Sequence, residues 1–188
     1  MLGYLRLGVV ITAALWPGLA LAQAIQPAQD GTQTQVTLDG NQFNIGGGTR
    51  SGDGANLFHS FERFNVDTGQ IANFLSQPDI RNILGRVTGG DASVIDGLIR
   101  ISGGNSNLFL LNPAGLVFGT NARLDVPGSF TATSATGLSF GDQWLNGVGS
   151  NDYASLVGDP SGFAFALSQP GSIFNSGNLS VPFGQNLS

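Results

Sequence analysis

Asn107-Leu108-Phe109-Leu110-Leu111-Asn112-Pro113-Ala114-Gly115-Leu116-Val117-Phe118-Gly119 decides how this chain is read. Two apolar runs too short for helices are joined by Asn-Pro-Ala-Gly. Asn at the first position, Pro at the second and Gly at the fourth favour a type I turn, because Pro presets φ and Gly accepts the exit geometry. The stretch therefore predicts a turn between two strands. Both runs are apolar on consecutive residues, so neither reads as a surface strand with one wet face.

Around this corner a loose repeat emerges. Gly97-Leu98-Ile99-Arg100-Ile101 recurs eighteen positions later as Gly115-Leu116-Val117-Phe118-Gly119. Asn107-Leu108-Phe109-Leu110-Leu111 has later counterparts in Ala122-Arg123-Leu124-Asp125-Val126 and Ser129-Phe130-Thr131-Ala132-Thr133. Short strands with Gly or Asn at the corners predict the coils of a solenoid, with Leu, Ile, Val and Phe inside and Arg, Asp and Asn outside. The β-helix is the version built from short parallel strands. A β-sandwich would also supply strands, but it does not require the recurrence. Composition agrees with an all-β chain: 188 residues hold 29 Gly, no Lys, no Cys and 10% charged residues, unlike a helical domain.

The first residues indicate export. Met1 to Ala22 carries one positive charge at Arg6, an apolar run from Leu7 through Trp16 broken by Pro17-Gly18, and then Ala20-Leu21-Ala22. This reads as a secretory signal peptide, cleaved after Ala22 or Ala24. Its apolar part is shorter than the roughly 20 residues of a membrane span, so the expectation is an exported domain over residues 23–188, not an integral membrane protein. With no Cys, disulfides do not hold the fold. The formal charge of −5 becomes −6 when Arg6 is removed, which argues against nucleic acid as a partner.

Along the mature chain, Gln35–Leu38 and Asn41–Ile45 alternate apolar and polar residues about Asp39-Gly40 and predict a hairpin. Residues 46–54 are Gly-rich and predict a loop. Asn56 to Val66 reads as extended. Ile80 to Val87 fits either a short helix or an irregular strand, since Ile80, Ile83, Leu84 and Val87 have helical spacing over a short span. Further coils are expected over about 141–188, with Phe163, Phe165, Ile173 and Phe174 assigned to the core. Gly171 to Val181 still reads as repeat, which suggests a piece or shortened form of a longer passenger that self-associates through its C-terminal end.

Three blocks in order carry a family resemblance. Asn56-Leu57-Phe58-His59-Ser60-Phe61-Glu62-Arg63-Phe64-Asn65-Val66, Asn82-Ile83-Leu84-Gly85-Arg86-Val87-Thr88-Gly89-Gly90 and Asn112-Pro113-Ala114-Gly115-Leu116-Val117-Phe118-Gly119 resemble the successive motifs of the N-terminal secretion domain of the filamentous haemagglutinin family. That domain, also called the haemagglutination activity domain, belongs to exoproteins of two-partner secretion. The signature covers about residues 25–140. Ala114 stands where the motif has a second Asn, and the Asn-Pro-Asn-Leu turn of other members has no counterpart.

The resemblance implies a right-handed parallel β-helix with an N-terminal β cap or hairpin. It also implies a secretion signal rather than a catalyst. Entry through the Sec machinery would be followed by recognition in the periplasm by an outer-membrane barrel with polypeptide-transport-associated domains, and by folding at or beyond the cell surface. As recognition or structural positions it implies Asn56, Phe58, Phe61, Phe64, Asn65, Asn82, Arg86, Val87, Asn112, Pro113 and Gly115. An adhesin or binding module is the alternative, since full-length members often adhere.

An enzyme is the weaker reading. Asp125, Asp142 and Asp159 recur every seventeen residues, but no second carboxylate sits beside any of them to complete an acid/base pair. Gly137-Leu138-Ser139-Phe140-Gly141 matches a nucleophile elbow, yet the single His, His59, precedes the Ser instead of following it. His59, with Phe58 and Phe61 nearby and no Cys or second His, reads as structural rather than as a metal ligand. No catalytic, cofactor-binding or metal-binding residues are assigned.

Overall fold

A computed structural model describes residues 24–188, and the signal peptide assigned to 1–22 lies outside them. The chain opens with β1 (Ile25–Pro27), β2 (Thr34–Asp39), β3 (Gln42–Gly47) and β4 (Thr49–Arg50). It then coils through β5 (Asn56–Phe64), β6 (Ile71–Leu75), β7 (Asn82–Val87), β8 (Ser93–Ile95), β9 (Leu98–Ser102), β10 (Asn107–Leu111), β11 (Leu116–Phe118), β12 (Arg123–Asp125) and β13 (Phe130–Thr133). After β14 (Gly137–Phe140), β15 (Gln143–Asn146), a 3-10 turn at Tyr153–Ser155 and β16 (Gly162–Ala164), it returns to the stack at β17 (Ile173–Asn175).

Three parallel ladders define a β-solenoid of about four turns. The first sheet runs β5, β7, β10, β13, the second β3, β6, β9, β12, and the third β8, β11, β17. The N-terminal edges are closed by antiparallel partners: β1 and β4 against β5, and β2 against β3. The expected hairpin forms, with Gly40 entering its two-residue turn at φ +59°, a value that glycine accepts without steric cost.

The core follows from strand alternation. Leu57, Ile83, Leu108 and Phe130 lie in register and point inward, while beside them Phe61 packs tilted on Phe64 and edge to face on Phe74, and Phe64 stacks on Phe74. Gly85 lies in the next inward-facing layer, in register with His59 and Leu110, where a Cβ would come within 3.2 Å of the Phe61 ring. The large rings of the first coil therefore take a glycine as their neighbour in the second.

The coil length corrects the eighteen-residue spacing. Asn56 meets Asn82 twenty-six residues on, Asn82 meets Asn107 after twenty-five, and Asn44 meets Asn73 after twenty-nine. Residues 97–101 and 115–119 resemble each other because both run into a core-facing strand, but β9 and β11 belong to different sides of the coil. Of the two proposed counterparts of β10, Ser129–Thr133 pairs with it and Ala122–Val126 does not, since β12 pairs with β9.

Within Ile80–Val87 the structure forms no helix: Asn82–Val87 is strand β7, buried at every position because both of its faces are covered. Coiling does not continue through residues 141–170 as expected. From β14 at Gly137 onward the chain instead forms a separate antiparallel sheet, β15–β14–β16, laid on the outside of the first sheet. Phe163, Phe165, Ile173 and Phe174 are correspondingly exposed rather than core. Gly137–Phe140 is a strand of that sheet, so no nucleophile elbow forms.

Candidate functional site

The three sequence blocks meet on the first sheet and at its corner with the third. Alternation splits their residues between two faces. Phe61, Phe64 and Val87 join the inner core, whereas Phe58 and Leu84 point outward into a second apolar cluster with Leu111, Leu138, Phe140, Leu145 and Leu156. The consecutive apolar residues of β10 are explained in the same way. Leu108 and Leu110 face the solenoid core, and Phe109 and Leu111 face the added sheet.

Along the outer face runs an asparagine ladder. Asn82 Nδ2 donates to Asn56 Oδ1 at 2.8 Å, and Asn107 Nδ2 donates to Asn82 Oδ1 at 2.9 Å. Parallel in-register strands place like side chains one above another, so each amide can serve as donor to one rung and acceptor from the next. The first rung ends on the added sheet's connection, where Asn56 Nδ2 donates to the carbonyls of Leu156 and Gly158. Asn82 also donates to Asp159, which salt-bridges Arg81 at 2.9 Å. The Asn82 hydrogen bond and the Arg81 guanidinium together hold the Asp159 carboxyl below its usual range despite partial burial.

Arg86 is the polar centre of this face, and it is almost fully buried. Its Nε donates to Ser60 Oγ at 3.1 Å, one terminal nitrogen donates to the carbonyls of Asn146 and Gly149 at 2.8 and 2.7 Å, and the other donates to Asp30 at 2.7 Å. Its guanidinium carbon also stands 5.9 Å from the centre of the Tyr153 ring. Desolvation alone would raise the pKa of Asp30. Hydrogen bonds from Ser60, Thr32 and Arg86 outweigh that effect and hold it at about 2. One guanidinium therefore joins the N-terminal cap, the first two coils and the added sheet, a geometry that suits the fixed fork of Arg.

The Asn-Pro-Ala-Gly corner forms the expected turn. Gly115 N–H donates to the Asn112 carbonyl at 2.9 Å, and Ala114 N–H donates to Asn112 Oδ1 at 2.9 Å. The amide of Asn112 reaches across to the previous coil, donating to the Asp91 carbonyl and to Ser93 Oγ, both at 3.0 Å. Gly171 packs so closely on this turn that a Cβ would fall 2.2 Å from the Ala114 carbonyl carbon. Asn65 serves a comparable corner of the first coil by accepting from Val94 N–H at 2.9 Å.

Of the eleven positions in the three motifs, only Asn65 is partly exposed; the others are buried. Asp30, Ser60, Asn146, Tyr153 and Leu156 complete the face and were missed from sequence, although the doubled apolar pattern of β10 signalled that a covering layer was needed. Asp125, Asp142 and Asp159 do not stack. Asp125 pairs with Arg100 on the second sheet, Asp142 lies in the turn between β14 and β15, and Asp159 is held at the ladder. His59 lies in the core between Phe61 and Phe74, with neither ring nitrogen hydrogen-bonded. Burial lowers its pKa to about 4.

A family model described as TPS secretion domain matches residues 22–187. Among solved structures, the chain is similar to the crystal structure of the HMW1 secretion domain from Haemophilus influenzae, with 20% identity and a TM-score of 0.57. The similarity covers 84% of this chain and 36% of that one, so this chain spans about a third of that chain's length. No curated protein matches the chain.

Proposed function

The chain belongs to the TPS secretion domain family and so carries a signal for two-partner secretion; we propose that this signal is read in the periplasm by an outer-membrane transporter before folding is complete. In this reading residues 1–22 direct entry through the Sec machinery and are removed. The transporter's polypeptide-transport-associated domains then engage the exposed motifs, and the solenoid forms at or beyond the cell surface.

The carrying observation is the burial of the motif residues. A receptor cannot contact Phe61 or Phe64 once the coils have closed, nor Phe58, Asn82 or Arg86 once the added sheet covers the outer face, so side-chain reading of these positions requires a chain that has not finished folding. An extended segment such as Leu108–Leu111 can add to a partner's sheet edge through backbone hydrogen bonds, with alternate side chains giving specificity. Closing successive coils then buries apolar surface that no single coil can bury alone, which biases movement outward without a nucleotide.

Export assays with and without a transporter barrel test this. Wild-type chain should reach the medium only when the barrel is present, and scrambling residues 56–66 should abolish its release. Asn112→Ala should lower the yield of folded product while leaving export dependent on the barrel. Release that ignores the barrel would overturn the reading.

A further inference from the structure

We propose that residues 134–165 form a displaceable strap, and that the face beneath it is a docking surface for a β-hairpin of another polypeptide. That face is the outer side of β5, β7 and β10. The matching hairpin carries one apolar side and presents free backbone carbonyls near its end. Only the owner of the hairpin, the transporter, rests on the functional reading above.

The strap itself defines the chemistry. Leu138, Phe140 and Leu145 of β14 and β15 cover Phe58, Leu84 and Leu111, and Leu156 joins them. The carbonyls of Asn146 and Gly149 receive Arg86, and those of Leu156 and Gly158 receive Asn56. The partner that fits this face thus has alternating apolar side chains and unpaired carbonyls, which are supplied here by the chain's own later residues.

Three observations make the strap separable from the solenoid. It contributes no strand to the three parallel ladders, because β15–β14–β16 is a sheet of its own. Its apolar residues Trp144, Val148, Val157, Phe163 and Phe165 are each at least 45% exposed while Leu138, Leu145 and Leu156 are buried, so the strap is held from one side only, unlike the coils, which are packed between neighbours. It also reaches back a long way in sequence: Thr32 and Tyr153 lie 121 residues apart, and Asn56 and Leu156 lie 100 apart. Every residue of the covered face precedes the strap in the chain, so stepwise coiling from the N-terminal cap presents the face before the strap closes. A partner hairpin held there would be displaced when residues 134–165 arrive, and intramolecular closure would favour its release.

The test uses the 188-residue chain carrying Leu138→Asp and Leu145→Asp, which loosens the strap without touching the face. The probe is a synthetic peptide of residues 134–158 with the native sequence. Hydrogen exchange should show β6 and β9 still protected in the variant, while β14 and β15 lose protection. The variant should then bind the peptide at least tenfold more tightly than the wild-type chain, and a peptide carrying the same two substitutions should not bind. Loss of protection in β6 and β9 would show the strap to be part of the fold and overturn the proposal. Failure of the strap-open variant to capture the peptide, or equal binding by the wild-type chain, would overturn it too. None of these outcomes depends on export, so they leave the secretion reading to its own assay.

Discussion

His59 and Arg86 show how a buried polar group sets the limits of this fold. The neutral imidazole of His59 lies among rings whose centroids are 6.3 and 5.9 Å away, and burial drops its pKa from 6.5 to about 4. The unfolded chain takes up a proton that the folded chain refuses. Stability from the neutral ring is therefore complete above the unfolded value and is lost as pH falls toward about 4, on the order of 3 kcal/mol in all. Urea unfolding at about pH 7 and pH 4.5 should show this loss, and His59→Leu should flatten it. Asp30 acts lower on the scale: its depressed carboxyl contributes stability above 3.8 that disappears as pH falls through about 2. Arg86→Ala removes the ion pair of Asp30 and the Arg86 hydrogen bonds to the Asn146 and Gly149 carbonyls, and should cost about 3–5 kcal/mol by urea unfolding. Arg86→Lys should recover little, because a single ammonium cannot reach partners arrayed around a planar fork.

At the scale of elements, the asparagine ladder and the added sheet carry different kinds of information. Asn82→Ala removes the middle rung, strands Asn56 Oδ1 and frees Asn107 Nδ2. It should cost about 1–3 kcal/mol in equilibrium unfolding and raise exchange locally at β5 and β7. The strands and corners of the solenoid were legible because Gly, Asn and Pro mark turns through local backbone chemistry, as at Asn112–Gly115. The period was not. Each coil has three sides, and a short apolar strand after a glycine looks alike on any of them, so residues 97–101 and 115–119 matched across sides. The three blocks were legible as strands and a corner, but alternation divides their side chains between two faces, a division that a one-residue change of register would invert. The strap was hidden for another reason: β14 to β16 have the same short-strand pattern as a coil, and only tertiary packing sends them outside. Phe163 and Phe165 were misassigned to the core on that account.

The whole molecule has two unlike ends. At the N-terminal end β1, β2 and β4 close the sheets with antiparallel strands. At the other end residues 186–188 run beside β13 and Leu179 and Val181 pack against the core, while β12 has no strand on its outer side among the described residues. Unpaired strand edges beside apolar side chains favour association. Two copies of the isolated 188-residue polypeptide should therefore associate through the unpaired edge of β12. Sedimentation should show a dimer forming with concentration; a monodisperse monomer at high concentration would contradict this.

The central claim, that the motifs are read before the coils close, is tested most directly by binding to the periplasmic domains of a transporter that exports the chain. Freshly diluted, urea-unfolded chain should bind at least tenfold more tightly than refolded chain, and scrambling residues 56–66 should remove the difference. Equal or tighter binding by the refolded chain would contradict the account.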